Sequence, residues 1–88
     1  MTRRNQQFTS ELTRAVQEVL ARGLQDPRIS GLITVTSVKV SEDLHDATVM
    51  VSVLPQEKQD LTLHGLQGAA AHIRRQVGEI INARRLPT

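Results

Sequence analysis

The segment from Asp26 to Leu54 limits what this chain can fold into more than any other segment. It contains two runs rich in Val, Ile and Thr, residues 32–40 and 46–54, separated by the polar stretch 41–45. Beta-branched side chains favour strands, so the segment predicts an antiparallel hairpin. An isolated hairpin is at best marginally stable in water, and we therefore expect the flanking segments to cover one of its faces.

Alternation of side chains divides each predicted strand into two faces. The first strand has two mixed faces, Leu32, Thr34, Thr36, Val38 and Val40 on one and Ile33, Val35, Ser37 and Lys39 on the other. The pattern does not choose between them. The second strand has one uniformly apolar face, formed by Ala47, Val49, Val51 and Val53. We expect this apolar face to lie against helices, and we expect Pro55 to end the strand.

A first helix is predicted before the hairpin. Apolar residues recur there at helical spacing: Phe8, Leu12, Ala15, Val16, Val19 and Leu20. This amphipathic stripe predicts a helix over about 5–22. Gly23 stands where a helix takes a left-handed cap, and Asp26-Pro27 then favours a turn into the first strand.

A second helical stripe follows the hairpin: Leu63, Leu66, Ala70, Ile73, Val77 and Ile80. It predicts helix over about 61–84, with Asp60 or Thr62 as the N-cap. Three glycines weaken this helix by roughly 1 kcal/mol each relative to Ala, namely Gly65, Gly68 and Gly78. The small side chains near Ala69–Ala71 permit either one long helix or two helices joined there.

The composition excludes several classes of site. The chain has 88 residues, no cysteine and a single aromatic side chain, Phe8. A disulfide framework and a thiolate metal site are therefore impossible, and stacking of bases on aromatic side chains, as on many RNA-binding sheets, is largely excluded. No apolar run is long enough to span a membrane, and MTRRNQQ leads directly into the first helix. We expect neither a membrane segment nor a signal peptide.

Charge is unevenly distributed, although the net charge is only +2. Arginines concentrate toward the two ends of the chain: Arg3, Arg4, Arg14, Arg74, Arg75, Arg84 and Arg85. The middle of the chain, residues 41–60, is acidic. If the two ends meet in space, they form a basic face of the kind that binds a phosphate backbone; otherwise the arginines are simply solvated.

The sequence contains no recognisable catalytic constellation. His45, His64 and His72 are far apart, and no nucleophile–base arrangement or glycine-rich phosphate loop accompanies them. We therefore expect no enzymatic activity, no metal, no cofactor and no small-molecule substrate.

The predicted order, α-β-β-α-α, resembles that of an RNA-binding KH-like domain. Such domains carry a GxxG loop between two helices, where the backbone approaches the nucleic acid. The corresponding residues here are Gly68-Ala69-Ala70-Ala71, with Ala in the last position, and Arg74 and Arg75 follow shortly after. The amides and arginines after the loop are groups that can bind phosphates.

Longer segments make the resemblance more specific. In chain order they are LARGLQDPRI, ITVTSVKVSEDLHDATVMVSVL, LQGAAAHIRRQVG and ARRLP. Together they resemble the ribosome-binding factor A family, bacterial assembly factors of the small ribosomal subunit. The resemblance covers nearly the whole chain, which we treat as one RNA-binding domain, residues 1–88.

The resemblance implies an α+β fold of the KH-like type II class, α-β-β-α(kink)α. Members of the family continue with a third strand after the position of Thr88, and we expect that strand to be missing from this sequence, which ends there. The family's Ala-x-Gly helix kink falls on Ala69, Ala70 and Ala71, where Ala71 replaces the glycine. The implied function is a non-enzymatic one in the cytoplasm. Such a factor binds the free 30S subunit, assists 16S rRNA processing and maturation, and acts in cold adaptation.

We expect a monomer whose arginines contact rRNA phosphates: Arg3, Arg4, Arg28, Arg74, Arg75, Arg84 and Arg85. Two alternatives stay open. One is a general KH-like RNA binder. The other is a protein-interaction module that pairs the exposed edge of the hairpin with a strand of a partner.

Overall fold

The computed structural model describes residues 3–43 and 45–85, and within them a two-stranded antiparallel sheet with helices on one face. The elements are α1 (Arg3–Arg22), β1 (Leu32–Val40), β2 (Ala47–Leu54), a single 3-10 turn (Gln56–Lys58), α2 (Gln59–Gly68) and α3 (Ala70–Arg85). This α+β architecture has the predicted KH-like order of helix, two strands and two helices.

Helix α1 supplies the centre of the core. Its predicted stripe is confirmed, because Leu12, Ala15, Val16 and Val19 are all buried. They pack against side chains of β1 and α3: Val35, Val38, Val77 and Ile80. The helix ends at Arg22, and Gly23 takes the predicted left-handed conformation with φ of +84°.

A β-bulge in β1 explains why alternation does not identify the buried face of that strand. Val35 and Ser37 pair with consecutive residues of β2, so Thr36 has no partner in the ladder. An extra residue reverses the alternation beyond it. Val35 is buried before the bulge and Val38 after it, one from each predicted face.

Strand β2 turns its predicted apolar face toward the helices, but the helices cover only part of it. Val53 is buried with 5% of its surface exposed, Val51 is half-buried, and Val49 is exposed at 36%. Exposure therefore rises along this face toward the hairpin loop, and an open groove remains beside Val49.

The second helical region consists of two helices, which is one of the two arrangements permitted by the sequence. Helix α2 ends at Gly68, Ala69 has φ of −96° and ψ of 7°, and α3 begins at Ala70. The break lies at the first of the three predicted kink residues, while Ala70 and Ala71 form the first turn of α3. Because φ at Ala69 is negative, this conformation lies in the bridge region, which is allowed for alanine and does not require a glycine.

The predicted N-cap of α2 is wrong. The helix begins at Gln59 with Lys58 as its N-cap, and no side chain caps it. The preceding 3-10 turn removes the need for one, because the Gln59 N–H already donates to the carbonyl oxygen of Gln56. Thr62 is fully buried instead of capping the helix.

The sheet has two strands within the described ranges, so the edge of β2 that faces away from β1 has no strand partner there. The position of the family's third strand, after Thr88, lies outside the described residues. No helix in the described part of the chain is both long and apolar enough to cross a membrane.

Candidate nucleic-acid interface

Residues 26–30, here called the connector, lead into β1 and lie along one side of α2. Their last residue, Ser30, is held by Thr62. The Thr62 hydroxyl donates to the Ser30 carbonyl oxygen at 3.0 Å and accepts from the Ser30 N–H at 3.4 Å. A hydroxyl group can donate and accept at once, so one side chain serves both backbone groups of Ser30.

Two glycines allow the connector to approach the backbone of α2 closely. A Cβ on Gly65 would lie 2.6 Å from Cγ1 of Ile29, and a Cβ on Gly68 would lie 2.9 Å from Nη2 of Arg28. Thr62, Gly65 and Gly68 recur every three residues and therefore share one face of the helix. The glycines that weaken α2 as a helix are thus the residues that make room for the connector.

Asp26 and Arg28 form a closed pair within the connector. The Asp26 carboxylate accepts three hydrogen bonds from Arg28: the backbone N–H to Oδ1 at 2.9 Å, Nε to Oδ1 at 3.1 Å, and Nη2 to Oδ2 at 2.8 Å. The side-chain hydrogen bond with Arg28, followed by the backbone one, holds the pKa of Asp26 below its ordinary value. The same side-chain bond raises the pKa of Arg28. Forked, charge-assisted bonds of this kind are among the stronger ones in proteins.

The arginines predicted to bind RNA differ in how free they are. Arg74 and Arg75 are exposed on the second turn of α3, and neither forms an ion pair with a described residue. Arg28 has 47% of its side chain exposed, but its guanidinium is bound to Asp26. Arg14 is exposed on α1, which packs directly against α3. Basic segments from both ends of the chain therefore lie on neighbouring helices.

Four more predicted contacts also lie on these two helices: Arg3 and Arg4 in α1, and Arg84 and Arg85 in α3. Their side chains lie outside the described part of the structure. Arg22 at the end of α1 is paired with Glu18 at 3.0 Å, four residues earlier.

An open groove of about 520 Å³ adjoins Arg74. Helix α1, strand β2, α2 and α3 all contribute to its walls. The walls are mainly aliphatic, with Val49, Leu63 and Ile73 among them, and among the described residues Arg74 alone brings a charge to the lining. The groove therefore offers apolar surface beside a single positive charge.

The hairpin loop carries several of the chain's acidic residues, at the opposite end of the sheet from the connector. Asp43 accepts hydrogen bonds from the Ser41 hydroxyl at 2.6 Å and from the His45 N–H at 3.1 Å. These bonds, the Ser41 one foremost, lower the pKa of Asp43. Within the described residues, no three His, Asp or Glu side chains come together as a metal site would require.

Comparison with known proteins decides the family. The family model of ribosome-binding factor A matches residues 4–88. The chain belongs to the ribosome-binding factor A family. This confirms the resemblance drawn from the four sequence segments.

Several proteins named ribosome-binding factor A are similar to the chain over most of its length. The protein of Clostridioides difficile (strain 630) is 39% identical over 84 residues, which are 96% of this chain and 66% of that protein. The protein of Anaeromyxobacter sp. (strain K) is 44% identical over 78 residues, 88% of this chain and 56% of that protein. The protein of Geotalea daltonii is 36% identical over 88 residues, which are 99% of this chain and 71% of that protein. This chain thus spans between half and two thirds of the length of the first two ribosome-binding factors A.

Sequence reasoning did not find the contacts by which four residues shape this site: Asp26, Thr62, Gly65 and Gly68. The spacing Thr-x-x-Gly-x-x-Gly places three of them on one helix face, and that spacing is visible in the sequence. However, the segment that this face contacts lies far away in the chain, because Ser30 and Thr62 are 32 residues apart. Nothing local in the sequence links the two segments.

Proposed function

We propose that this chain is a non-enzymatic assembly factor that binds the free 30S ribosomal subunit in the cytoplasm and assists the processing and maturation of 16S rRNA, including in the cold. The observation that carries the proposal is the family match over residues 4–88, to a family named for binding ribosomes. The described residues add a physical means of binding, in the form of exposed arginines on two neighbouring helices.

Arginine is suited to this task because its planar guanidinium donates several hydrogen bonds to phosphate oxygens and stays charged at any physiological pH. Arg74 and Arg75 are the strongest candidates, since both are exposed and unpaired among the described residues. The predicted contacts at Arg3, Arg4, Arg84 and Arg85 belong to the same two helices. Phosphate contacts would supply affinity, and the shape of the rRNA would supply specificity.

The test compares two double variants in their binding to small subunits. One reverses two charges on α3, and the other reverses two charges elsewhere on the surface. Arg74→Glu with Arg75→Glu is expected to weaken co-sedimentation with purified small subunits by about tenfold or more. The slope of log affinity against log salt concentration should become shallower by about 1.5, because two phosphate contacts are lost. Lys39→Glu with Lys58→Glu is the matched control, since both lysines are exposed on other surfaces.

The control variant is expected to retain most of its affinity and the full salt slope. Equal losses in both double variants would mean that only net charge matters and that α3 is not the contact surface. Binding that does not depend on salt would contradict the proposal altogether.

A protein-interaction module is the second candidate, because the outer edge of β2 is unpaired within the described residues and exposed apolar side chains lie beside it. The Ser41 N–H donates to the Asp46 carbonyl oxygen at 2.9 Å. Hydrogen-bonded pairs alternate along an antiparallel ladder, so the N–H of Thr48 faces β1 and that of Val49 faces the open edge. Val49→Pro therefore removes a donor from the open edge alone.

If Val49→Pro abolishes association with small subunits while the Arg74 and Arg75 double variant still binds, edge pairing with a protein replaces RNA binding as the function. The RNA-binding proposal expects the reverse pattern. A circular dichroism spectrum of the Val49→Pro variant must match that of the unmodified chain for this comparison to hold.

A further inference from the structure

Helix α2 depends on the connector for its burial. Thr62 and Gly65 are its only buried residues, and both contact the connector, Thr62 through Ser30 and Gly65 through Ile29. The large apolar residues Leu61 and Leu63 are exposed at 55% and 42%. Residues 28–30 therefore cover both of the buried residues of α2.

Arg28 extends this attachment to the last residue of α2. Its Nη2 lies so close to Gly68 that a Cβ there would come within 2.9 Å. The carbonyl groups at a helix C-terminus carry partial negative charge and attract a cation. Asp26 fixes the guanidinium in this place through two side-chain bonds, and a third bond fixes the backbone N–H of Arg28.

The break between α2 and α3 follows directly after Gly68. The Ala69 N–H donates to the carbonyl oxygens of Gly65 and Leu66, and the Ile73 N–H donates to the carbonyl oxygen of Ala69 at 2.9 Å. Arg74 is the next residue along the chain. Ala69 therefore joins the end of α2 to the first turn of α3, while Val77 and Ile80 hold the rest of α3 in the core.

We propose that the Asp26–Arg28 pair positions the start of α3 for RNA binding, and that Arg28 is a positioning residue which does not itself contact phosphate. This inference rests on the proposed function and sharpens it, because it separates one of the predicted RNA contacts from the others. Arg28 acts through Gly68 on the α2–α3 break, and Arg74 and Arg75 meet the phosphates.

Asp26→Asn distinguishes two possible roles of Arg28, because the two roles predict opposite changes in the affinity for small subunits. If Arg28 contacted phosphate, removing its carboxylate partner would free the guanidinium and delete a negative charge, and small subunits would bind more tightly. With Arg28 as a positioning residue, affinity for small subunits falls by roughly fivefold, the size of one lost hydrogen bond's contribution. The slope of log affinity against log salt stays unchanged, because no phosphate contact is lost.

Glu42→Gln is the matched control for charge. Glu42 is exposed in the hairpin loop, at the other end of the sheet, and its neutralisation removes the same negative charge. The control is expected to bind as well as the unmodified chain or slightly better. Tighter binding by Asp26→Asn than by Glu42→Gln would overturn the proposal.

A second pair of variants changes no charge. Gly68→Ala places a methyl group against the Arg28 guanidinium, whereas Gly78→Ala on α3 places one where no atom beyond its chain neighbours and the backbone of its own helix turns lies within 4 Å. Both should strengthen their helices, since Ala is the better helix former. Gly68→Ala is nevertheless expected to lower affinity by roughly threefold, about the size of one weak contact, and Gly78→Ala to leave it unchanged. Equal affinities in the two variants would contradict the proposal.

Hydrogen exchange on the chain alone keeps this inference separate from the proposed function. The Ile73 amide should exchange faster in Asp26→Asn and Gly68→Ala, and at an unchanged rate in Glu42→Gln. If the Arg74 and Arg75 double variant binds normally, the RNA-binding proposal fails, and the exchange of Ile73 still decides whether the pair holds the α2–α3 break. An unchanged exchange rate of the Ile73 amide in both Asp26→Asn and Gly68→Ala would show that the Asp26–Arg28 pair does not hold the α2–α3 break.

Discussion

Thr62 and Asp26 show how single polar side chains hold the connector against α2. Thr62 is the only polar residue among those that are buried in the described part of the chain, and its hydroxyl serves both backbone groups of Ser30. Buried polar groups are costly unless they are paired, so this reciprocal arrangement lets an irregular segment lie against a helix. At the other end of the connector, Asp26 holds Arg28 in place by accepting three hydrogen bonds from it.

The acid titration of Asp26 is the first prediction. Its ordinary pKa is 3.8 and the hydrogen bonds from Arg28 lower it in the folded chain. A carboxyl with a lowered pKa stabilises the fold at any pH above its unfolded value, and this stabilisation is lost as the pH falls through the folded value. We expect the Asp26 carboxyl carbon to titrate below 3.8 in an NMR experiment, and unfolding to become easier over that same acidic range.

Arg28→Gln is the variant that identifies the cause of this shift. It should return the Asp26 midpoint toward 3.8 and leave Asp43 unaffected, because Asp43 owes its lowered pKa to Ser41 and His45. Asp43 is thus an internal control in the same sample. A midpoint for Asp26 that does not respond to Arg28→Gln would show that the pair does not form in solution.

At the scale of elements, replacing a glycine by alanine is expected to change stability in opposite directions in α2 and α3. A Cβ at Gly65 would lie 2.6 Å from Ile29 Cγ1 and 3.2 Å from Arg28 Cβ, both fixed parts of the connector. We predict that Gly65→Ala destabilises the chain, because overpacking costs about 1–3 kcal/mol and outweighs the helix gain of about 1 kcal/mol. Gly78→Ala should stabilise it by up to about 1 kcal/mol.

Urea unfolding followed by circular dichroism measures both variants, since the chain has neither Trp nor Tyr for fluorescence. The two variants are expected to change the free energy of unfolding in opposite directions, and this contrast does not depend on the size of either change. If Gly65→Ala proves as stable as Gly78→Ala, the connector does not lie against α2 as described.

The elements themselves were largely predictable from the sequence, and their contacts were not. The stripe from Leu12 to Val19 and the apolar face of β2 are periodic patterns, and both are found where the sequence predicts them. The bulge at Thr36 has no such pattern, because it depends on how two strands pair. The close approach of Arg28 to Gly68 depends on segments distant in sequence, which periodicity within either segment cannot reveal.

At the scale of the whole molecule, the core is centred on α1 and leaves α2 at its margin. Val19 is fully inaccessible at the centre of the core, whereas α2 buries only Thr62 and Gly65. Local stability follows such differences in burial, because segments with few buried contacts open without global unfolding. We predict that amides of α2 exchange through local openings whose free energy lies below the free energy of the openings that expose α1.

Val19→Ala distinguishes global unfolding from local opening of α2. Removing buried methyl groups should lower the free energy of global unfolding by about 2 kcal/mol, and the slowest amides of α1 should exchange faster by the corresponding factor. The α2 amides should keep their rates, because their openings do not expose the core around Val19. Leu61→Ala, at a side chain that is 55% exposed, is the control and should change neither set. If α1 and α2 respond together to Val19→Ala, the chain opens only as one unit, and α2 has no motion of its own through which the connector could act.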